Sequence, residues 1–326
     1  MRLVTFAIAG AERLGALIAE DRTIVNFAAA TAGETPPTLI STLALIEAGE
    51  PGLARARSVT AEAERSGRGA IDAASVRLLA PLPVPPQMRD FLCFEKHLVQ
   101  AFTQSRKVRA AVSPDPAATL REMEEKGVFT VPQMWYERPM HYKPSRFAVC
   151  GPETDVAWPA YSRTMDYELE FAAVIGQPGR DIAKADARPH IFGYTIFNDF
   201  SARDEQTAEM LGSLGPGKGK DFDNSNALGP CIVTADEIPD PYALTMIVRV
   251  NGEERGRGNS REMYWKFEDC IAHVSRGETL HPGELFCSGT VGNGCGLEIG
   301  RFLEPGDVVE LEVEKIGVLR NRVLRS

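Results

Sequence analysis

Met165-Asp166-Tyr167-Glu168-Leu169-Glu170-Phe171-Ala172-Ala173-Val174-Ile175-Gly176 runs from two glutamates one residue apart into an apolar, β-branched stretch. The second half has the composition of a strand. In a strand, side chains at i and i+2 leave by the same face, so Glu168 and Glu170 project together while Leu169 and Phe171 take the other side. Two like charges side by side on a buried strand repel each other and lose hydration. A hard divalent cation with a preference for oxygen would satisfy both. An isolated pair of this kind also suits a sheet edge with one wet face, so the surrounding chain has to decide.

That chain has 326 residues, 44% hydrophobic and 25% charged, which is ordinary for a globular protein of one large or two modest domains. A formal net charge of −9 argues against nucleic acid or an anionic membrane as partner. No apolar run is long enough to span a bilayer. The opening MRLVTFAIAGAERLG lacks a long apolar core with a small-residue cleavage site and reads as the first strand of a cytoplasmic protein. Cys93, Cys150, Cys231, Cys270, Cys287 and Cys295 form no CxxC pair and have no zinc-finger spacing, so they read as buried reduced thiols.

Two strand-like runs, Leu3 to Ala9 and Leu14 to Ala19, are followed by a helical pattern over 36–66 carrying Leu39, Leu43, Leu45 and Ile46. Residues 78–86 hold four prolines close together and mark a stiff linker. They divide the chain into a small β-rich N-terminal domain, 1–82, and a larger domain, 83–326. The second part alternates short β-like runs (171–175, 191–197, 231–234, 244–250 and 308–314) with few helical candidates, at 98–112 and 263–274. This pattern predicts an α+β or mainly β fold on a large curved mixed sheet. Residues 103–140, polar and interrupted by proline, read as an insertion, either of the lid or subunit-contact kind or a solvated surface excursion.

Polar groups cluster in four segments. They are Met88-Arg89-Asp90-Phe91-Leu92-Cys93-Phe94-Glu95-Lys96-His97, the paired-glutamate strand, the run from Phe192 through Asn198-Asp199-Phe200-Ser201-Ala202-Arg203-Asp204-Glu205-Gln206, and the Gly217–Pro230 loop with Lys220. Taken singly, Asp199 also suits a helix N-cap and Lys220 a solvated surface charge. Lys218-Gly219-Lys220 lacks the spacing of a phosphate-binding loop.

In order and wording, the four segments and the late Cys287-Ser288-Gly289-Thr290-Val291-Gly292 turn resemble the fumarylacetoacetate hydrolase family over about residues 85–326. The resemblance implies a metal held by Asp90, Glu168, Glu170 and Asp199. Mg²⁺ or Mn²⁺ is expected, with Ca²⁺ as the alternative. Smaller members carry a His-x-x-Glu dyad, but here that position is Gln100. The larger branch places the partner glutamate late, which implies a His97–Glu298 dyad. The same branch implies Lys220 at the metal site and oxyanion, and Arg106, Gln206, Thr290 and Tyr142 as substrate contacts. Leu92 and Met210 stand where the hydrolase itself has substrate-facing tyrosines.

The implied activity is metal-dependent hydrolysis of a carbon–carbon bond in a 1,3-diketo acid resembling fumarylacetoacetate or an acylpyruvate, within aromatic-compound catabolism. A Lewis-acid cation would polarise the carbonyls while His97, oriented by Glu298, activates water. The alternative on the same site is decarboxylation or keto–enol tautomerisation of an oxaloacetate-like 2-oxo acid. A small oxo acid is the expected partner, and family habit implies a homodimer.

Overall fold

The computed structural model of the protein describes residues 1–325. Its architecture follows from the alternation in the glutamate strand, Leu169–Ile175. This strand lies inside a twelve-stranded mixed sheet, antiparallel to the aspartate strand Ile191–Asp199 on one side and to Leu285–Cys287 on the other. Beyond the aspartate strand, the sheet continues through Asn226–Thr234 into the N-terminal strands Arg2–Ile8, Ala11–Ile18, Thr23–Asn26 and Ala70–Asp72. In the other direction Leu285–Cys287 pairs in parallel with Met88–Phe91, which His141–Tyr142 then flanks. The fold is thus mixed α+β, dominated by one large mixed sheet.

The period of two divides the core. Phe171, Ala173 and Ile175 face a five-stranded sheet that contributes Met246, Val248, Leu311 and Val313. Ala172 and Val174 face the opposite way, into a second cluster with Leu53, Ala56 and Val59 of the N-terminal helix Gly49–Ser66. The N-terminal strands extend the large sheet through pairing at Arg2↔Val233 and Leu3↔Ile232. The helical pattern over 36–66 forms a short 3₁₀ turn and two helices, Thr42–Glu47 and Gly49–Ser66. Residues 79–87, the proline-rich stretch, form no regular element.

Four local readings of the sequence change. The 103–140 segment is mostly helical, with the histidine helix Glu95–Ala111 followed by Pro116–Glu125 and Gln133–Glu137. Its polar composition hides a sparse apolar set, Ala110, Met123 and Trp135, that is buried. Trp135 anchors the segment by donating Nε1–H to the Leu92 carbonyl at 2.7 Å. Asp199 caps no helix and instead ends its strand. The acidic turn after it is a helix, Arg203–Met210, whose Asp204 and Glu205 sit favourably in the first turn. The late helix begins at Phe267, four residues after the 263 boundary that periodicity gives, because Asp269 accepts from the Lys266 amide and fixes the start there.

Candidate metal centre and active site

Alternation brings the acids together. Asp90, Glu170 and Asp199 each lie two residues from Met88, Ala172 and Phe197, which belong to one apolar cluster. All three acids therefore leave the sheet by that same face: the Glu170 strand neighbours that of Asp199 and is one strand removed from that of Asp90. Glu168 enters two residues before Glu170, where the chain makes only an isolated bridge to Cys295. One oxygen from each of the four carboxylates lies within 4.8 Å of the others, and all four residues are buried. The strand between Glu170 and Asp90 ends at Cys287, which opens the gap they share. Gly289 closes the turn at φ +74°, where a Cβ would lie 2.1 Å from the Phe91 carbonyl oxygen. Its amide donates to Glu170 Oε2 at 2.9 Å.

Two cations stand beside these acids. Lys220 Nζ lies 2.7 Å from both Glu168 Oε2 and Asp199 Oδ2, and Arg203 Nη2 lies 2.8 Å from Glu168 Oε1. Burial acts to raise Glu168, but Lys220 and Arg203 outweigh it and hold this carboxyl at about 2. Burial first, then the Asp199 charge, pushes Asp90 well above the usual carboxylate range. Glu170 is pushed the same way by burial and by Asp90, Glu168 and Asp199. Lys220 is raised although burial opposes it, because Asp199 and Glu168 favour the ammonium form.

Asp90 Oδ1, Glu170 Oε1 and Asp199 Oδ1 are buried with no hydrogen-bond partner. Orphaned buried oxygens are costly unless something electropositive meets them. Three on separate strands, with Glu168 beside them, fit a divalent cation with all-oxygen ligation. The residues implied as metal ligands thus form one cradle.

The dyad is also assembled. His97, on the buried face of its helix, places Nδ1 3.0 Å from Glu298 Oε1. Glu298 Oε2 accepts from the Cys295 amide at 3.0 Å, which fixes the carboxylate in the short helix Gly296–Ile299. Gln100 is not bonded to this pair and instead bonds Asn293 reciprocally, at 2.7 and 3.1 Å. Glu168 forms its isolated bridge with Cys295, whose amide Glu298 accepts from, so the dyad and the cradle are neighbours.

The remaining expected residues divide. Tyr142 donates to Asp199 Oδ2 and joins the cradle. Gln206 accepts from Arg203 Nη1 at 2.9 Å. Thr290 is buried directly after Gly289. Arg106 is not drawn to the carboxylates. Its guanidinium donates to the carbonyls of Val128 and Phe129 and to Thr103 Oγ1, which fastens the helical insertion to the histidine helix. Leu92 and Met210 are partly exposed.

Two residues of the site escaped the reading of the chain. Asp166 and Arg203 are both buried and pair at 2.8 Å through Arg203 Nε and Nη2. The signal was present in the sequence: Asp166, Glu168 and Glu170 are three acids at a spacing of two.

The family described as fumarylacetoacetate (FAA) hydrolase C-terminal matches residues 111–324. The chain belongs to the fumarylacetoacetate hydrolase family. Among curated relatives of this family member, human mitochondrial oxaloacetate tautomerase FAHD2A is 41% identical over 187 residues, 55% of this chain and 58% of the relative. A bovine FAHD2A of the same description is 38% identical over 193 residues, covering 58% of this chain and 60% of the relative. The match thus spans somewhat over half the length of these proteins. Fumarylacetoacetate hydrolase from Exiguobacterium antarcticum superposes over 100% of both chains at a TM-score of 0.71 and 25% identity. A 5-carboxymethyl-2-hydroxymuconate delta-isomerase from Mycobacterium smegmatis does so at 0.68, also with 25% identity and 100% of both chains covered. No helix among the described residues is long and apolar enough to cross a membrane.

Proposed function

We propose that this family member is a cation-dependent keto–enol tautomerase acting on a 2-oxo acid of the oxaloacetate class. The observation that carries the reading is a proton-transfer pair, His97–Glu298, beside an all-oxygen cradle with unpartnered oxygens. Relatives described as oxaloacetate tautomerases, about two-fifths identical over the matched region, support it.

A divalent cation held by Asp90, Glu168, Glu170 and Asp199 would supply Lewis-acid polarisation of the substrate's oxygens. His97, oriented by Glu298, takes the proton from the carbon between ketone and carboxylate and returns it to oxygen, as general base and then acid. Lys220 keeps its proton because Asp199 and Glu168 favour the charged form. It therefore serves as a fixed positive donor toward charge developing on oxygen. Tyr142, Gln206 and Thr290 are the substrate contacts in this reading, while Arg106 is held by the Val128 and Phe129 carbonyls.

Hydrolysis of a 1,3-diketo acid is the second reading, since the same dyad can activate water. The two separate in one set of assays, with and without Mg²⁺ and a chelator. Decay of the enol absorbance of oxaloacetate should accelerate with Mg²⁺ and return to the uncatalysed rate on chelation. The His97→Ala variant should lose roughly 10²- to 10⁴-fold in rate. If the wild type cleaves an acylpyruvate to pyruvate and a carboxylic acid, yet leaves the enol decay at its uncatalysed rate, the hydrolase reading replaces the tautomerase.

A further inference from the structure

We propose that Asp166 is a positioning residue for the proton-transfer dyad, docking the helix that carries Glu298 and tying it through Arg203 to the cation cradle. The proposal rests on the reading of His97–Glu298 as the base.

Asp166 is completely buried, and donors converge on both of its oxygens. Oδ1 accepts from the amides of Tyr167 at 2.9 Å and Gly296 at 2.7 Å. Oδ2 accepts from the Leu297 amide at 2.9 Å and from Arg203 Nε at 2.8 Å, with Arg203 Nη2 also at 2.8 Å. Gly296 and Leu297 open the helix Gly296–Ile299, whose first amides have no partner within the helix. Four residues are far too few to hold a helix by propensity, so the position of Glu298 is set by what the segment docks against.

Two further features point the same way. A Cβ on Gly296 would lie 2.5 Å from Asp166 Oδ1 and 2.3 Å from the Arg301 carbonyl oxygen, so the close approach of this carboxylate requires glycine. Arg203 Nη2 also contacts Glu168 Oε1 at 2.8 Å, and one guanidinium thereby spans the carboxylate that holds the dyad and a carboxylate of the cradle. Displacing Asp166 rotates or loosens Glu298, and with it the imidazole that Glu298 aims.

Asp166→Asn keeps the size but turns one acceptor into a donor facing donors. In the Mg²⁺-loaded full chain it should lower kcat by roughly 10- to 100-fold, the scale of a misplaced catalytic group, while KM changes little. A purely structural role would act independently of Glu298, so the variant is also made in a Glu298→Gln background, where it should cost little further rate. The downfield His97 Nδ1 proton resonance, assignable among five histidines with His97→Ala, should shift or broaden in Asp166→Asn. Gly296→Ala should reproduce both effects. An equal loss of rate in the two backgrounds, or an unmoved His97 resonance in a folded variant, overturns the proposal. If the wild type lacks tautomerase activity, the functional reading fails instead, and the resonance alone decides the role of Asp166.

Discussion

Glu168 and Glu170 stand two residues apart on one face, equally buried, yet their surroundings treat them in opposite ways. Glu168 touches Lys220 and Arg203 and is held at about 2 against the effect of burial. Asp199 touches one cation, Lys220, and burial still leaves it raised. Glu170 and Asp90 have no cation at contact distance among the described residues and are raised furthest from the usual range. Two cations, one and none give three outcomes along a single cradle. The half without protein cations carries two of the three orphaned oxygens, so that is where a metal ion has most to neutralise.

The contrast breaks most visibly on replacing Glu168. Glu168→Gln leaves Lys220 and Arg203 buried with one partner fewer, and the cation-free protein should lose about 3–5 kcal/mol in urea unfolding. A loss no larger than that of Glu170→Gln would refute the asymmetry.

The pH dependence of metal stabilisation comes next. Asp90 and Glu170 have folded values above their unfolded ones. Their contribution to the cation-free protein is complete below about pH 4 and is lost as pH rises through the raised values. Mg²⁺ requires the deprotonated oxygens, so the unfolding free energy gained on adding Mg²⁺ should grow from about pH 5 to about pH 8, by at most about 1.4 kcal/mol per pH unit for each proton displaced. Glu168 behaves oppositely: its contribution is present above its ordinary value of 4.5 and fades only as pH falls toward about 2. An equal Mg²⁺ gain at both ends of that range would mean that Asp90 and Glu170 are already ionised.

Glu170→Gln removes a buried charge that lacks a protein cation. The cation-free protein should gain stability at a pH high enough to ionise Glu170, and calorimetry should find Mg²⁺ binding severely weakened. Gln100→Ala should have the smallest effect, about 1 kcal/mol of stability from the lost Asn293 bonds. The pH profile of kcat should stay in place, because Gln100 bonds Asn293 and neither His97 nor Glu298. A displaced profile would assign Gln100 to the proton relay.

Much of this was legible in the chain. Alternation, a local property, put Glu168 and Glu170 on one face, whereas Asp90 and Asp199 as their companions and the His97–Glu298 dyad were legible only through the resemblance of short strings to the family. The helical insertion was harder to read, because Ala110, Met123 and Trp135 are too widely spaced to form a periodic stripe.

The sequence by itself determined which side chains could gather: acids at a spacing of two on strands, a histidine on a helix face, and a glutamate in a late turn. Tertiary structure decided which of those acids hold their charge and what aims the histidine. His97 meets Glu298 across 201 positions, and Asp166 reaches Gly296 across 130. Charge state in a buried cluster depends on every neighbour sharing the same low dielectric, and no stretch of sequence contains those neighbours together.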